Sequence, residues 1–254
     1  MDNHVGGEWF SNLNIIKLQV IGKLPIFLTH LDLSYVQNLN SSYVWLQVIG
    51  KLPKVHDLEL SHCHLSDLYL HSLSHSLLNF STSLGYLDLS WNTFSSSETF
   101  EWVFNTTSNL IRLDLSNNIF KGTISYDFCN IRNQLEILDL SGNELQGGFL
   151  ESVRDICTLH SLSLDINKLN EDISTFLSKL SGCARYSQRY LSLSQNKITG
   201  TLPNLSTFPS LIDINLYYNR LSGKIPDGNK FLPSKFESEI WLQLFRRWNS
   251  KLIW

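Results

Sequence analysis

The pattern LxxLxLxxNxL returns along this chain at nearly regular intervals, and a repeat of that length dictates architecture before any single element is considered. Six copies run from Leu84 to Leu221, among them LGYLDLSWNTF, LIRLDLSNNIF and LEILDLSGNEL. Each places asparagine ninth: Asn92, Asn118, Asn143, Asn167, Asn196 and Asn219. Two weaker copies precede them, starting at Leu28 and Val55, with Val36 and Cys63 at the ninth position. Successive ninth positions lie 23 to 29 residues apart.

Leucines two apart on a strand face the same side, and the residues between them face the other. A unit this short cannot bury its own apolar face, so each coil must stack on the next. The expected fold is an α/β solenoid with a curved parallel β-sheet on its concave face. Loops, 3-10 turns and short helices form the convex face. The ninth-position asparagine enters the core as the chain leaves the strand, where its amide can pair backbone groups that no sheet partner reaches. Cys63 is a small buried substitute at that position.

The organisation follows: a degenerate N-terminal segment over 1–27, about eight repeats over 28–226, and a non-repeat tail over 227–254. In the tail Ile240, Leu244, Trp248 and Leu252 share one stripe of a possible amphipathic helix. The octet LQVIGKLP occurs at both Leu18 and Leu46, as a duplication inside the array would leave it. Its second copy predicts a short convex-side helix; the first fits either that or another repeat.

Hydrophobic residues make up 43% of the chain and charged residues 17%, which supplies a core and argues against disorder. With a net charge of −3 and no basic stripe, nucleic acid is not an expected partner. No apolar run reaches the roughly 18 residues of a membrane span. The start, MDNHVGGEWF, lacks the basic and apolar regions of a signal peptide. The four cysteines form no CxxC pair. Five of the eight histidines lie between His56 and His75, but register turns Cys63 inward and His62 and His64 outward, so no metal site is expected. There is no nucleophile elbow, phosphate-cradling glycine loop or acid–base dyad, hence neither an enzyme nor a cofactor is expected.

Some repeats continue into a GxIP extension. Leu221 to Pro226 reads LSGKIP, Ile198 to Pro203 reads ITGTLP, and Phe120 to Ser125 reads FKGTIS. This extension resembles the plant-specific leucine-rich repeat of receptor-like kinases, receptor-like proteins and polygalacturonase inhibitors. Segments such as Trp45-Leu46-Gln47 before Leu52-Pro53, and Leu180-Ser181-Gly182-Cys183, most resemble receptor-like proteins of the disease-resistance type. The resemblance implies part of an ectodomain on the extracellular side of the plasma membrane. It would recognise a protein, peptide or glycan in defence or developmental signalling, with a co-receptor kinase as partner. One alternative is a secreted polygalacturonase-inhibitor-like protein, which expects paired cysteines in its end caps, whereas no cysteine precedes Cys63. The other is a truncated, non-functional receptor derivative, suggested by uncapped ends and the lack of a signal or span.

Register also selects the candidate site. The fifth position reads Asp32, Glu59, Asp88, Asp114, Asp139, Ser163, Ser192 and Asn215, an acidic ladder that is also the consensus strand LDLS. Consensus does not set the eighth position, which reads Tyr35, His62, Trp91, Asn117, Gly142, Ile166, Gln195 and Tyr218. Tyr35, His62 and Trp91, with Tyr86 nearby, form the first candidate ligand-binding cluster on the concave face. Tyr190, Tyr217 and Tyr218 form a second. Exposed aromatics on a rigid surface are the side chains that dominate interfaces. The sequons at Asn40, Asn79, Asn105 and Asn204 are glycosylation candidates on the connecting arcs, at the frequency that composition alone produces. Cys157 and Cys183, one coil apart, are a candidate disulfide whose geometry the spacing leaves open.

Overall fold

The computed structural model describes residues 4–5, 27–36, 39, 53–72, 83–107, 109–123, 134–147, 153–180, 182–224 and 226. The chain divides into two compact units, residues 1–120 with 130–138, and residues 121–129 with 139–254.

In the first unit, strands β1 (His4–Val5), β2 (His30–Asp32), β3 (Asp57–Glu59), β4 (Tyr86–Asp88) and β5 (Arg112–Asp114) lie parallel in chain order. A strand therefore precedes the first recognised repeat, within the segment 1–27. From β2 to β5 the register aligns the fourth-position leucines Leu31, Leu58, Leu87 and Leu113. Each strand from β2 to β5 is three residues long, and the sixth-position leucine that follows faces the same side as the fourth. Leu33, Leu60, Leu89 and Leu115 are fully buried. The coils stay linked beyond the strands, since eighth-position N–H groups donate to the next coil's seventh-position carbonyls. Tyr35 N reaches Ser61 O and Trp91 N reaches Ser116 O, both at 2.9 Å.

The return arcs include a 3-10 turn at Asp67–Ser72 and helix α1 (Glu98–Thr106). Asp67 joins them: its carboxylate accepts from Ser95 N at 2.7 Å, from the Ser95 hydroxyl at 2.8 Å and from the Thr99 hydroxyl. Beneath the arcs Phe94, Phe100 and Phe120 are buried, and the rings of Phe100 and Phe120 meet at 5.3 Å.

The second unit holds the pair β6 (Lys121–Gly122) and β8 (Glu144–Leu145), while β7 (Ile137–Asp139) spans the division of the chain. Strands β9 (Ser161–Ser163), β10 (Tyr190–Ser192) and β12 (Asp213–Asn215) continue the leucine register, pairing Leu162, Leu191 and Ile214. Strands β11 (Thr199–Gly200) and β13 (Arg220–Leu221) form another short parallel pair. Strands β6, β11 and β13 lie at the start of the GxIP extensions, and β8 closes the repeat Leu135 to Leu145; the leucine register alone does not predict these small sheets. Gly200 has φ +89, and a Cβ there would fall on the Asp172 carboxylate. Asp172 in turn caps helix α2 (Ile173–Lys179), accepting from Ser174 N at 2.8 Å. Glycine is thus required at position 200 by both backbone conformation and close approach. Cys157 and Cys183, the latter at the head of α3 (Ala184–Ser187), are joined as a disulfide.

The asparagine expectation holds in detail. Nδ2 of Asn92 donates to Leu89 O and Ser90 O of its own coil and to Leu60 O of the preceding coil, at 2.9–3.0 Å. Its Oδ1 accepts from Leu65 N, also in the preceding coil. Asn118, Asn167, Asn196 and Asn219 repeat this scheme. At Cys63 the thiol takes part of the role, donating to Leu33 O at 3.1 Å and Ser61 O at 3.3 Å. Burial pushes its pKa up to about 12, which keeps it a donor. The octet's first copy, residues 46–52 of its second, and the tail from 227 lie outside the described residues.

Candidate functional site

In the described coils the eighth position lies in the left-handed region, with φ between 52 and 66 from Tyr35 to Tyr218. That conformation reverses the chain just after the strand and turns the side chain outward. Tyr35 is 62% exposed and Trp91 55%. Successive coils sit one strand spacing apart, about 4.8 Å, and flat rings at successive eighth positions therefore stack. Tyr35 and His62 do so with centroids 4.5 Å apart and planes at 25°. His62 and Trp91 follow at 4.9 Å and 23°. The Nδ1 atom of His62 is buried in the column without a hydrogen-bond partner.

Tyr86 belongs to a different arrangement. It occupies the third position on β4, where the Arg112 guanidinium lies 4.8 Å above its ring and its hydroxyl approaches Asp88 at 3.5 Å. Burial, reinforced by the Asp88 charge, raises its phenol well above the ordinary value. The second cluster also divides. Tyr217 and Tyr218 meet edge to face at 4.3 Å, while Tyr190 has Arg189 over its ring at 5.9 Å.

The acidic ladder has a structural duty as well as a charge. In each LDLS strand the aspartate accepts the N–H of the serine two residues on. Ser34 to Asp32, Ser90 to Asp88 and Ser141 to Asp139 measure 2.8 Å, and Ser116 to Asp114 measures 2.9 Å. Asn215 caps Tyr217 N in the same way at 3.1 Å. Where serine fills the fifth position, Asp165 at the seventh substitutes, accepting from the Ser192 hydroxyl at 2.7 Å and from Ser194 N. Burial raises the pKa of Asp88; its bonds from Ser90 oppose the shift, and the Asp114 charge adds to it.

One group on this face escaped the sequence reading. Asp57 holds His30 Nε2 at 2.8 Å through one oxygen and His56 Nδ1 through the other, and the Thr29 hydroxyl meets His30 Nδ1 at 2.9 Å. Gly85 leaves room for the His56 ring, which a Cβ there would strike. The third-position column His30, Asp57, Tyr86 and Arg112 carries the signal, which is visible across coils and not along the chain. Among the described residues no group of three His, Cys, Asp or Glu side chains is arranged to hold a metal. No described helix is long and apolar enough to cross a membrane.

Of the sequons, Asn204 is exposed and caps the 3-10 turn Leu205–Thr207 by accepting Ser206 N at 2.9 Å. Asn105 lies in α1, and Asn40 and Asn79 are outside the described residues.

Comparison with known proteins fits this geometry. The family model Leucine Rich Repeat matches residues 109–131, 134–156 and 189–207. Receptor-like protein EIX1 of Solanum lycopersicum is 31% identical over 232 residues, covering 86% of this chain and 22% of the relative. The chain is a leucine-rich-repeat protein related to plant receptor-like proteins. Receptor-like protein EIX2 of the same plant is 32% identical over 180 residues, 70% of this chain and 17% of its own length. This leucine-rich-repeat chain thus spans about a fifth of the curated relatives it matches. Among solved structures, the ectodomain of the Arabidopsis receptor kinase HAESA, in complex with a peptide hormone ligand, superposes with a TM-score of 0.57 at 25% identity. That match covers 79% of this chain and 32% of the receptor chain. A Listeria monocytogenes internalin shares the fold alone, with a TM-score of 0.54 at 20% identity over 82% of this chain and 53% of the internalin.

Proposed function

We propose that this chain is a non-catalytic ligand-recognition segment of a plant receptor-like protein, and that the sheet face of its first unit binds a peptide or protein through Tyr35, His62 and Trp91. The carrying observation is the stacked column itself. Three rings held by successive left-handed turns form a wall whose order exists before any ligand arrives, which lowers the entropy lost on binding. Its middle ring has both faces occupied by neighbours, so the column offers edges more than open faces. That suits peptide side chains better than a sugar ring, which needs a free aromatic face. The HAESA ectodomain's peptide hormone supports the same class of ligand. The Cys157–Cys183 disulfide supports placement on the extracellular side of the plasma membrane, because such bonds persist in oxidising compartments. Engagement of a co-receptor kinase belongs to the same reading and rests on kinship.

The test is retention of the chain on an array of short synthetic peptides. The triple variant Tyr35→Ala, His62→Ala, Trp91→Ala should keep its circular dichroism but lose the hits, with affinity down roughly 100-fold or more. A folded triple variant that binds the same peptides equally well would remove this face from consideration.

A further inference from the structure

We propose, building on that face as the binding surface, that its ligand is a cationic peptide segment running across the strands, its Arg or Lys side chains lying on the fifth-position carboxylates beside the aromatic column. Three observations meet here. Acids predominate on the face: Asp32, Glu59, Asp88 and Asp114 occupy the fifth position of four consecutive coils, while Asp57 at the third is engaged by His30 and His56. The guanidinium of Arg112, the one Arg or Lys in the third, fifth and eighth positions of β2 to β5, is held over Tyr86. These acids are spaced by the sheet, one per coil and in register. Two coils span roughly 9.6 Å, and one three-residue turn of polyproline-like chain, which returns every third side chain to the same side, spans about 9.3 Å. Basic residues three apart would therefore meet Asp32 and Asp88, or Glu59 and Asp114, in phase with the coils. Finally, the turn caps engage one oxygen each of Asp32, Asp88 and Asp114. The carboxylates are thereby oriented before binding, and Asp88 is partly desolvated, with the repulsion from Asp114 exceeding the attraction from Arg112. A cation relieves that repulsion and gains from the lowered dielectric. The adjoining rings receive the apolar stems of the basic side chains.

Asp88 and Asp114 can be neutralised without breaking the turns, because Asn215 makes the same cap to Tyr217 N. The probes are three fluorescein-labelled peptides of equal length carrying arginine, alanine or glutamate at every third position. The wild-type chain should prefer the arginine peptide, and its affinity should fall as salt rises. The double variant Asp88→Asn, Asp114→Asn should bind that peptide about tenfold more weakly with a flatter salt dependence. Trp91→Ala should weaken it as well. If the alanine or glutamate peptide binds as tightly, and binding depends on Trp91 but not on the two aspartates, the charge inference is overturned and the face survives as a site. If arginine-peptide binding is unaffected by both variants, the inference and the face fall together.

Discussion

Asn118 donates through Nδ2 to Leu89 O, Leu115 O and Ser116 O, and accepts Phe94 N through Oδ1. All four bonds lie inside the core, where an unmet carbonyl or N–H is expensive. Asn118→Ala should lower the stability to chemical denaturation by about 3 kcal/mol. Asn118→Cys should recover part of that loss, because Cys63 serves two equivalent carbonyls with its thiol; equal losses for the two variants would contradict the borrowed role. Ile166 poses the opposite case. It is β-branched yet sits at φ 53 and is 52% exposed, so its side chain gains little burial for the backbone strain. Ile166→Asn should raise the unfolding free energy by roughly 1 kcal/mol, measurable as a higher melting temperature. Asp88 gives a pH signature. A carboxyl whose pKa is raised by folding binds its proton more tightly when folded, so its favourable contribution is complete at low pH and fades as pH climbs past the unfolded value to the folded one. Asp88→Asn, which keeps the cap, should therefore gain stability relative to the wild type as pH rises through that window. A constant difference across the acid range would show that no shift exists.

Within the elements, the strands are three residues long and have little stability of their own. What holds them is the bonding between coils: the asparagines, the seventh-to-eighth position backbone link, and in the second unit a covalent tie. The Cys157–Cys183 bond closes a loop with a sequence separation of 26. Removing it releases the unfolded chain, and Cys157→Ser with Cys183→Ser should cost about 3 kcal/mol. Reductant should shift the wild type and leave the double variant unmoved. Gly200 marks the limit of tolerance in the GxIP strands. An alanine there must hold φ +89 and displace the Asp172 carboxylate that caps α2. Gly200→Ala should lower the melting temperature, whereas Gly122, with open space around its missing Cβ, should suffer from backbone strain alone.

At the scale of the whole molecule, much of this protein was legible from one line of text. The parallel leucine register, the buried asparagines and the outward eighth position all follow from a repeat of fixed phase, because each coil solves the same packing problem as its neighbour. Kinship with plant receptor-like proteins was legible for the same reason, through the GxIP glycines Gly122, Gly200 and Gly223, all held in the left-handed region. Tyr35, His62 and Trp91 could be nominated from their shared position. That they stack, that Tyr86 turns away to Arg112, and that Asp57 gathers His30 and His56 were decided in three dimensions. The fifth-position aspartates show the division most clearly: the sequence marked them as a repeated charge, and the folded turns revealed them as caps. Periodicity determines which face a side chain occupies. Which partner it finds there depends on distances across coils 23 to 29 residues apart, and those distances exist only once the coils have stacked.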